Sequence, residues 1–214
     1  MSRVQVASLL PSIEQIEAEL ATRSLREFVQ QAWPEVEPQT TYVHGWHLDA
    51  ICDHLEAVTR GEIRNLVLNM PPRHMKSLLA AVFWPAWVWL RNPGMRWLFS
   101  SYALSLSIRD SLRMRRLIES QWFRRRWGSL FRLTSDQHAK VRYENDKNGC
   151  RLATSVESAA TGEGGDIIVC DDAHNVVEAE SALKRSATIT WWDQSMSNRL
   201  NDPRTGCRVI VGHR

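Results

Sequence analysis

Two short stretches of this chain hold residue types able to handle a polyphosphate. The first is Asn69-Met70-Pro71-Pro72-Arg73-His74-Met75-Lys76-Ser77, which follows the apolar run Leu66-Val67-Leu68 and opens a long apolar segment. An apolar strand, a short loop and Lys-Ser at a helix start is the layout of a phosphate-binding loop. Backbone N–H groups and the helix N-terminus face the anion, a lysine reaches the outer phosphates, and a hydroxyl reaches Mg²⁺. Lys76 and Ser77 fit the last two roles, while Pro72, Arg73, His74 and Met75 form the loop that wraps the phosphates. Both glycine positions of the usual pattern hold methionine, Met70 and Met75. Either a side chain at Met75 crowds the phosphates, or the fixed φ of Pro71 and Pro72 instead holds another loop shape.

The second stretch, about ninety residues on, is Asp166-Ile167-Ile168-Val169-Cys170-Asp171-Asp172. Four apolar residues ending in paired acids read as a buried parallel strand, with carboxylates at the C-terminal edge where α/β sheets bind ligands. Asp171 would belong to the Mg²⁺ shell, and Asp172 would polarise a water toward the γ-phosphate. Alone, an Asp-Asp pair is also the composition of a solvated turn or a helix cap. Alone, Lys-Ser after a strand is common. Together the two favour nucleotide hydrolysis.

The elements around them read as an α/β chain. Residues 1–40 form a polar amphipathic lead, with Leu20, Leu25, Phe28 and Val29 at helical spacing and a stop near Trp33-Pro34. A helix from Leu48 to Val58 carries Ile51, Leu55 and Val58 on one face, and the strand Leu66 to Asn69 follows. Leu78 to Leu90 is apolar but spans only about thirteen residues and contains Pro85. A membrane span needs about twenty, so this is a buried helix. Met95 to Ser101 reads as a strand and Leu104 to Ile118 as a helix. Strand, helix, strand, helix without short hairpins signals a parallel sheet. Residues 141–155 are an exception, since Val141-Arg142-Tyr143 and Arg151-Leu152-Ala153 flank an Asn148-Gly149 turn and predict a hairpin. Thr161-Gly162-Glu163-Gly164-Gly165 is a loop rather than a dinucleotide fingerprint. Ala179 to Met196 reads as a helix and Cys207 to Val211 as a last strand. A parallel strand ending without its helix suggests a chain cut short.

Composition narrows the class. Of the 214 residues, 43% are hydrophobic and 24% charged, which fits one globular core. The ten tryptophans lie near core elements and read as packing. Four dispersed cysteines form no zinc spacing and no disulfide framework. The first residues lack the charged-then-apolar pattern of a signal peptide, and a reducing cytoplasm is the expectation. The net charge of +3 does not mark a nucleic-acid binder, but eight arginines fall between Leu104 and Arg132. Arg109, Arg113 and Arg116 share one helix face, and Trp122, Phe123 and Trp127 interleave with Arg124-Arg125-Arg126. This is either a solvated basic face, a contact for DNA phosphates, or the source of an arginine for a neighbouring subunit's ATP.

Pro-Pro-Arg-His-Met-Lys-Ser after a strand, Thr-Gly-Glu-Gly-Gly-Asp entering an apolar strand, and Asp-Asp-Ala-His together resemble the large terminase subunit of tailed bacteriophages. The resemblance runs from about Leu25 to Arg214 and is to the N-terminal ATPase half. It implies a P-loop NTPase of the RecA-like (ASCE) class: a parallel sheet with helices on both faces, an N-terminal helical lead and an inserted β-hairpin. The expected division is 1–40 for the lead and 41–214 for the ATPase domain, truncated at its C-terminal end and without a nuclease domain. The family's activity is packaging: Mg-ATP hydrolysis by a homo-oligomeric ring at the portal vertex drives double-stranded DNA into a procapsid. The implied cofactors are ATP and Mg²⁺. The implied partners are duplex DNA, the portal protein and the small terminase subunit, with no membrane, in the host bacterial cytoplasm.

Carried over residue by residue, Arg73 and Lys76 match the basic residues of the family's phosphate loop, Ser77 its Mg²⁺ ligand and Asp171 its Walker B acid. Asp172 stands where many members have a catalytic Glu. Trp46-His47 stands at the adenine-contacting segment, and Arg109 near the arginine that acts across subunits, with Arg113 and Arg116 as competitors. Gly212-His213-Arg214 resembles the coupling motif, with His213 in place of the usual Thr or Gln. Two other classes remain open: a nucleic-acid-binding module whose loop no longer hydrolyses, and another P-loop enzyme such as a helicase or kinase. A helicase needs a second RecA-like half and a kinase an acceptor pocket, and no sequence sign of either is present.

Overall fold

A computed structural model describes residues 10–134, 140–156, 158 and 162–212. Helix α1 (Ile13–Arg23) starts at a reciprocal cap. The Gln15 N–H donates to Ser12 Oγ at 3.2 Å, and the Ser12 N–H donates to Gln15 Oε1 at 2.7 Å. Helix α2 (Leu25–Val36) is capped by Ser24 and runs through Pro34, beyond the expected stop. Pro34 is exposed in the last turn, and Gln30, whose carbonyl it cannot serve, is exposed as well, so water substitutes for the lost bond. Helix α3 (Trp46–Thr59) buries Leu48, Ile51, Cys52, Leu55 and Val58.

Strand β1 (Asn65–Asn69) leads through the loop into α4, one continuous helix built of Lys76–Leu78, a π-helical turn at Leu79–Phe83, and Trp84–Arg91. The wide turn comes just before Pro85, where a regular ladder would call on an N–H that proline lacks. Then follow β2 (Arg96–Ser101), α5 (Leu104–Glu119) and α6 (Gln121–Trp127). After these come β3 (Arg142–Glu144), β4 (Cys150–Ser155) and β5 (Ile167–Asp171). The helix expected from Ala179 to Met196 is segmented. It consists of α7 (Val176–Ala179), then α8 (Ala182–Trp191) restarted by the Ser181 cap, then a π-helical turn Trp192–Met196. Strand β6 (Cys207–Gly212) is last.

The six strands lie in the order β1-β6-β5-β2-β4-β3, all parallel except the β3–β4 pair. The expected hairpin is present, with Asn148 left-handed at φ 65. Its second strand also pairs in parallel with β2, Leu152 lying opposite Leu98, so the hairpin closes one end of the sheet. Gly149 is obligatory there, because a Cβ would stand 1.9 Å from the Pro93 carbonyl oxygen.

Side chains alternate between two cores. Leu66, Leu68, Trp97, Phe99, Ile167, Val169, Val209 and Val211 face α1–α6, with Trp84, Trp87 and Trp89 buried among them. Leu98, Ile168 and Cys170 face a smaller cluster with Trp191, Met196 and Leu200. Helices therefore cover both faces, as expected. The N-terminal helices belong to the larger core: Trp87 Nε1 donates to the Ala21 carbonyl at 3.0 Å, and the Phe28 ring lies 5.7 Å from that of Trp127. All four cysteines are buried and free. Among the described residues, no helix is long and apolar enough to cross a membrane.

Candidate nucleotide site

The sheet order sets the site. Strand β6 lies between β1 and β5, so the loop after β1 and the acids of β5 meet across one strand at the C-terminal edge. The register closes the gap from both sides. The Met70 N–H donates to the Gly212 carbonyl at 3.2 Å, and the Asp172 N–H donates to the Val211 carbonyl at 2.8 Å.

Lys76, Ser77, Asp171 and Asp172 come together here. Lys76 is 5% exposed, and its Nζ donates to Asp172 Oδ1 at 2.5 Å. Asp172 itself is left-handed at φ 46, which turns its carboxylate back over the sheet edge toward the lysine. Asp171 is 8% exposed. Burial pushes its carboxyl up to about 7, aided by the charge of Asp172, while the neighbouring Ser77 hydroxyl opposes the shift. Asp171 Oδ1 is buried without a hydrogen-bond partner.

An orphaned acid oxygen beside a helix-start hydroxyl is a donor set suited to Mg²⁺. Among the described residues no three His, Cys, Asp or Glu side chains converge as a metal site. A divalent ion held by one acid and one hydroxyl takes its remaining ligands from water and from a polyphosphate, which is how Mg²⁺ ordinarily binds.

The loop solves its missing glycines by strain. Arg73 and Met75 both adopt left-handed backbone, at φ 65 and φ 61. Each L-residue in that region costs about 1–2 kcal/mol. The expected crowding by Met75 does not arise from a side chain standing in the loop, because Met75 is half-buried and packs against the larger core with Met70. Pro71, Pro72, Arg73 and His74 are exposed along the crest. His74 Nδ1 lies 2.9 Å from the Pro72 carbonyl oxygen, and its ring meets that of His47 edge-on at 5.4 Å. Behind that contact a groove of about 230 Å³ runs between α3 and β1, lined by Trp46, His47, Ile51, His54, Val67 and Met70. Trp46 is 80% exposed at its mouth. Trp46 and His47 thus lie next to the loop.

Arg109 stands at the start of α5 and donates to both oxygens of Asp110, at 2.9 and 3.0 Å. That bond raises the Arg109 pKa, and the charge of Asp171 adds to it, so Arg109 lies within electrostatic reach of its own acid strand. Arg113 lies between Glu37 at 3.0 Å and the same Asp110 at 3.7 Å, and Arg116 is exposed further along the helix. His213 and Arg214 lie outside the described residues.

Two further charged residues escape a motif reading. Asp110 is buried and anchors Arg109, and its charge also adds to the raised pKa of Asp171. Helical spacing held the signal, since Ser107, Asp110, Ser111 and Met114 share the buried face of α5. Arg151 is fully buried on β4, with its guanidinium 3.7 Å from the Phe99 ring centre and Nη1 3.4 Å from Met114 Sδ. Burial lowers its pKa, against the opposing influence of Tyr143 and Asp110. Its alternation with buried Ala153 placed it on a core face of the strand.

A parallel α/β sheet with a lysine-serine loop facing an acid-tipped strand across one neighbour is the P-loop, RecA-like architecture. No family model and no curated protein matches the sequence. Solved structures match the fold. The large terminase of HK97 bacteriophage superposes with a TM-score of 0.55 at 11% identity, over 89% of this chain and 37% of that one. The ATPase domain of the large terminase of Thermus phage P74-26, solved as a point mutant, gives 0.52 at 14% identity over 80% and 65%. The chain has the fold of a large terminase ATPase domain, and it spans less than two thirds of either of these relatives.

Proposed function

We propose that this chain is the ATP-hydrolysing part of a phage large terminase, coupling hydrolysis of Mg-ATP to movement of double-stranded DNA into a procapsid. The observation that carries the reading is the meeting of Lys76 and Ser77 with Asp171 and Asp172 across β6. The two terminase folds support it.

In this reading the triphosphate lies on the backbone of the loop, and Lys76 exchanges its bond to Asp172 for the outer phosphate oxygens. In that exchange an oxygen of Asp172 turns from Lys76 to the attacking water, orienting it and accepting its hydrogen bond. Arg73, exposed on the crest, adds positive charge over the same oxygens. Ser77 and Asp171 would hold Mg²⁺, which supplies neutralisation of charge on the phosphates when bound. Adenine fits the groove beside Trp46 and His47, an apolar slot with an aromatic wall. Arg109 is our choice for the arginine that serves a neighbouring subunit, since it lies within electrostatic reach of Asp171 and so near the nucleotide edge of the sheet. Such an arginine is worth roughly 10³–10⁵ in rate in other NTPases. The partners that follow are duplex DNA, the portal, the small subunit and further copies in a ring, in the host cytoplasm. The lead of residues 1–40 and the domain of 41–214 act together as this module.

The Lys76–Asp172 pair also favours a second reading, a nucleic-acid-binding module in which the pair stays closed and no phosphate is released. ATP hydrolysis per subunit, followed against protein concentration with Mg²⁺ and duplex DNA, separates the two. The motor reading expects a rate that climbs with concentration and falls about 10³-fold or more in Arg109→Ala. A rate that is zero at every concentration selects the second reading.

A further inference from the structure

The eight arginines between Leu104 and Arg132 divide into two sets. Four are held by carboxylates. Arg109 bonds Asp110, Arg113 reaches Glu37 at 3.0 Å, and Arg115 reaches Glu119 at 3.2 Å, while Arg126 bridges Glu14 at 3.2 Å and Glu17 at 3.1 Å. The other four, Arg116, Arg124, Arg125 and Arg132, are exposed and form no ion pair among the described residues. The aromatic residues that alternate with them in sequence are spoken for: Phe123, Trp127 and Phe131 are buried in the larger core, and half-buried Trp122 packs against that core with the Arg126 guanidinium 5.2 Å from its ring centre.

Two of the unspent arginines converge. Arg124 and Arg132 line a groove of about 460 Å³ between the end of α5, α6 and residues 128–133. Glu119 also lines it, but its charge is taken by Arg115. Asp146 lies nearby, where its Oδ1 accepts the Arg132 backbone N–H at 3.0 Å and Lys147 stands 3.9 Å from its other oxygen. The groove sits at the N-terminal end of the sheet, because the adjoining turn is tied to the turn that leads into β2 by the Asn145 Nδ2 bond to the Pro93 carbonyl, 2.8 Å. The nucleotide site occupies the opposite end. Helix α5, of 16 residues, runs from Leu104 to Glu119 and carries Arg109 ten residues before Glu119. That is a rigid link of about 15 Å between Arg109 and the groove.

We infer that this groove is a contact for the phosphodiester backbone of double-stranded DNA, held by Arg124 and Arg132 without reading sequence; the choice of DNA among polyanions rests on the motor reading. The chemistry favours phosphate over an acidic protein. Of the apolar lining, Ile118, Phe123 and Phe131 are buried and Leu133 is half-buried, so no large apolar side chain stands exposed in the groove as an anchor of the kind protein interfaces depend on. The same burial removes any aromatic face for stacking bases. What the groove presents to a ligand is guanidinium charge, and phosphate neutralisation with counterion release is the interaction that uses charge alone.

The test is binding of the full chain to a fluorescent mixed-sequence duplex at salt between about 50 and 200 mM. Arg124→Gln, Arg132→Gln and their combination are compared with Arg60→Gln, an exposed arginine already held by Glu62. Each lost phosphate contact lowers the slope of log K against log salt by about 0.9, so the double variant is expected to lose roughly two units of slope. Arg60→Gln is expected to bind as the parent does, and basal ATP hydrolysis to be unchanged in all four. Both groove arginines are exposed, and an unfolding temperature equal to that of the parent verifies that the fold is kept. A double variant with the parental slope overturns the inference. So does an acidic peptide that displaces the probe as well as unlabelled duplex of equal charge. Hydrolysis with groove-insensitive binding sinks the groove alone. Groove-dependent binding without hydrolysis leaves the groove standing and removes the motor.

Discussion

Asp171 and Asp172 leave the sheet from β5, a strand with a partner on each side and every residue buried. Lys76 and Ser77 leave it from β1, an edge strand whose alternate residues are exposed, Val67 by 65%. The acids are placed by pairing: the Asp172 N–H is fixed by Val211 and its carbonyl by the Tyr102 N–H at 2.9 Å. The loop is placed by local backbone compromise, with two left-handed L-residues and an exposed crest. The acid half holds its one left-handed residue, Asp172, by these backbone bonds on either side, whereas the loop half holds two on an exposed crest, where substitution can relieve strain. Substitution of Asp172 should tell mainly in rate, and substitution in the loop in both rate and stability.

The largest effect is expected from Asp172. Asp172→Asn keeps the shape but removes the acid, and steady-state phosphate release should fall by about 10²–10⁴. Asp172→Glu restores the carboxylate one methylene further out and should recover most of that loss. Equal rates for the Asn variant and the parent would break the assignment of the acid half.

Next is the pH response of the metal-free chain. The Asp171 carboxyl is raised from 3.8 to about 7 by burial, so the neutral form is the one the fold favours. The stability it contributes is complete below pH about 4 and is lost as pH rises through about 7, with a slope of at most about 1.4 kcal/mol per pH unit. Chemical denaturation across that window should show the decline in the parent and a flatter profile in Asp171→Asn.

The smallest effect sharpens the loop half. Arg73→Gly relieves a left-handed arginine at the cost of backbone entropy, and a net gain of a few tenths to about 1 kcal/mol in unfolding free energy is expected. Hydrolysis should fall, because the same change removes a charge from the crest. Arg73→Ala should lower hydrolysis without the gain, since alanine is as strained as arginine there. A loop that gains nothing from glycine is not storing strain.

The parts legible in sequence were those written locally. Alternation and apolar runs marked β1, β2, β5 and β6, and Lys76-Ser77 and Asp171-Asp172 could be joined because each fell at the end of such a run. The turn pair Asn148-Gly149 marked the hairpin. What escaped depends on packing across the chain. That β4 also joins β2 is decided by the register of Leu152 against Leu98, which no local pattern carries. Pro34 inside α2 is tolerated because that turn faces solvent. In the sequence Asp110 is one acid among many arginines, and only its burial shows that it anchors Arg109. The arginine-rich stretch read as one basic face, whereas partner carboxylates from α1 and α2 divide it in two.

The most direct test of the account is phosphate release from Mg-ATP by the parent chain and by Lys76→Ala, with nucleotide binding measured on the same samples. Lys76 joins the two halves through its 2.5 Å bond to Asp172. The account predicts turnover in the parent and a loss of at least about 10²–10³ in the variant, comparable to removing a key charge-stabilising donor elsewhere. Turnover that survives in Lys76→Ala would contradict it.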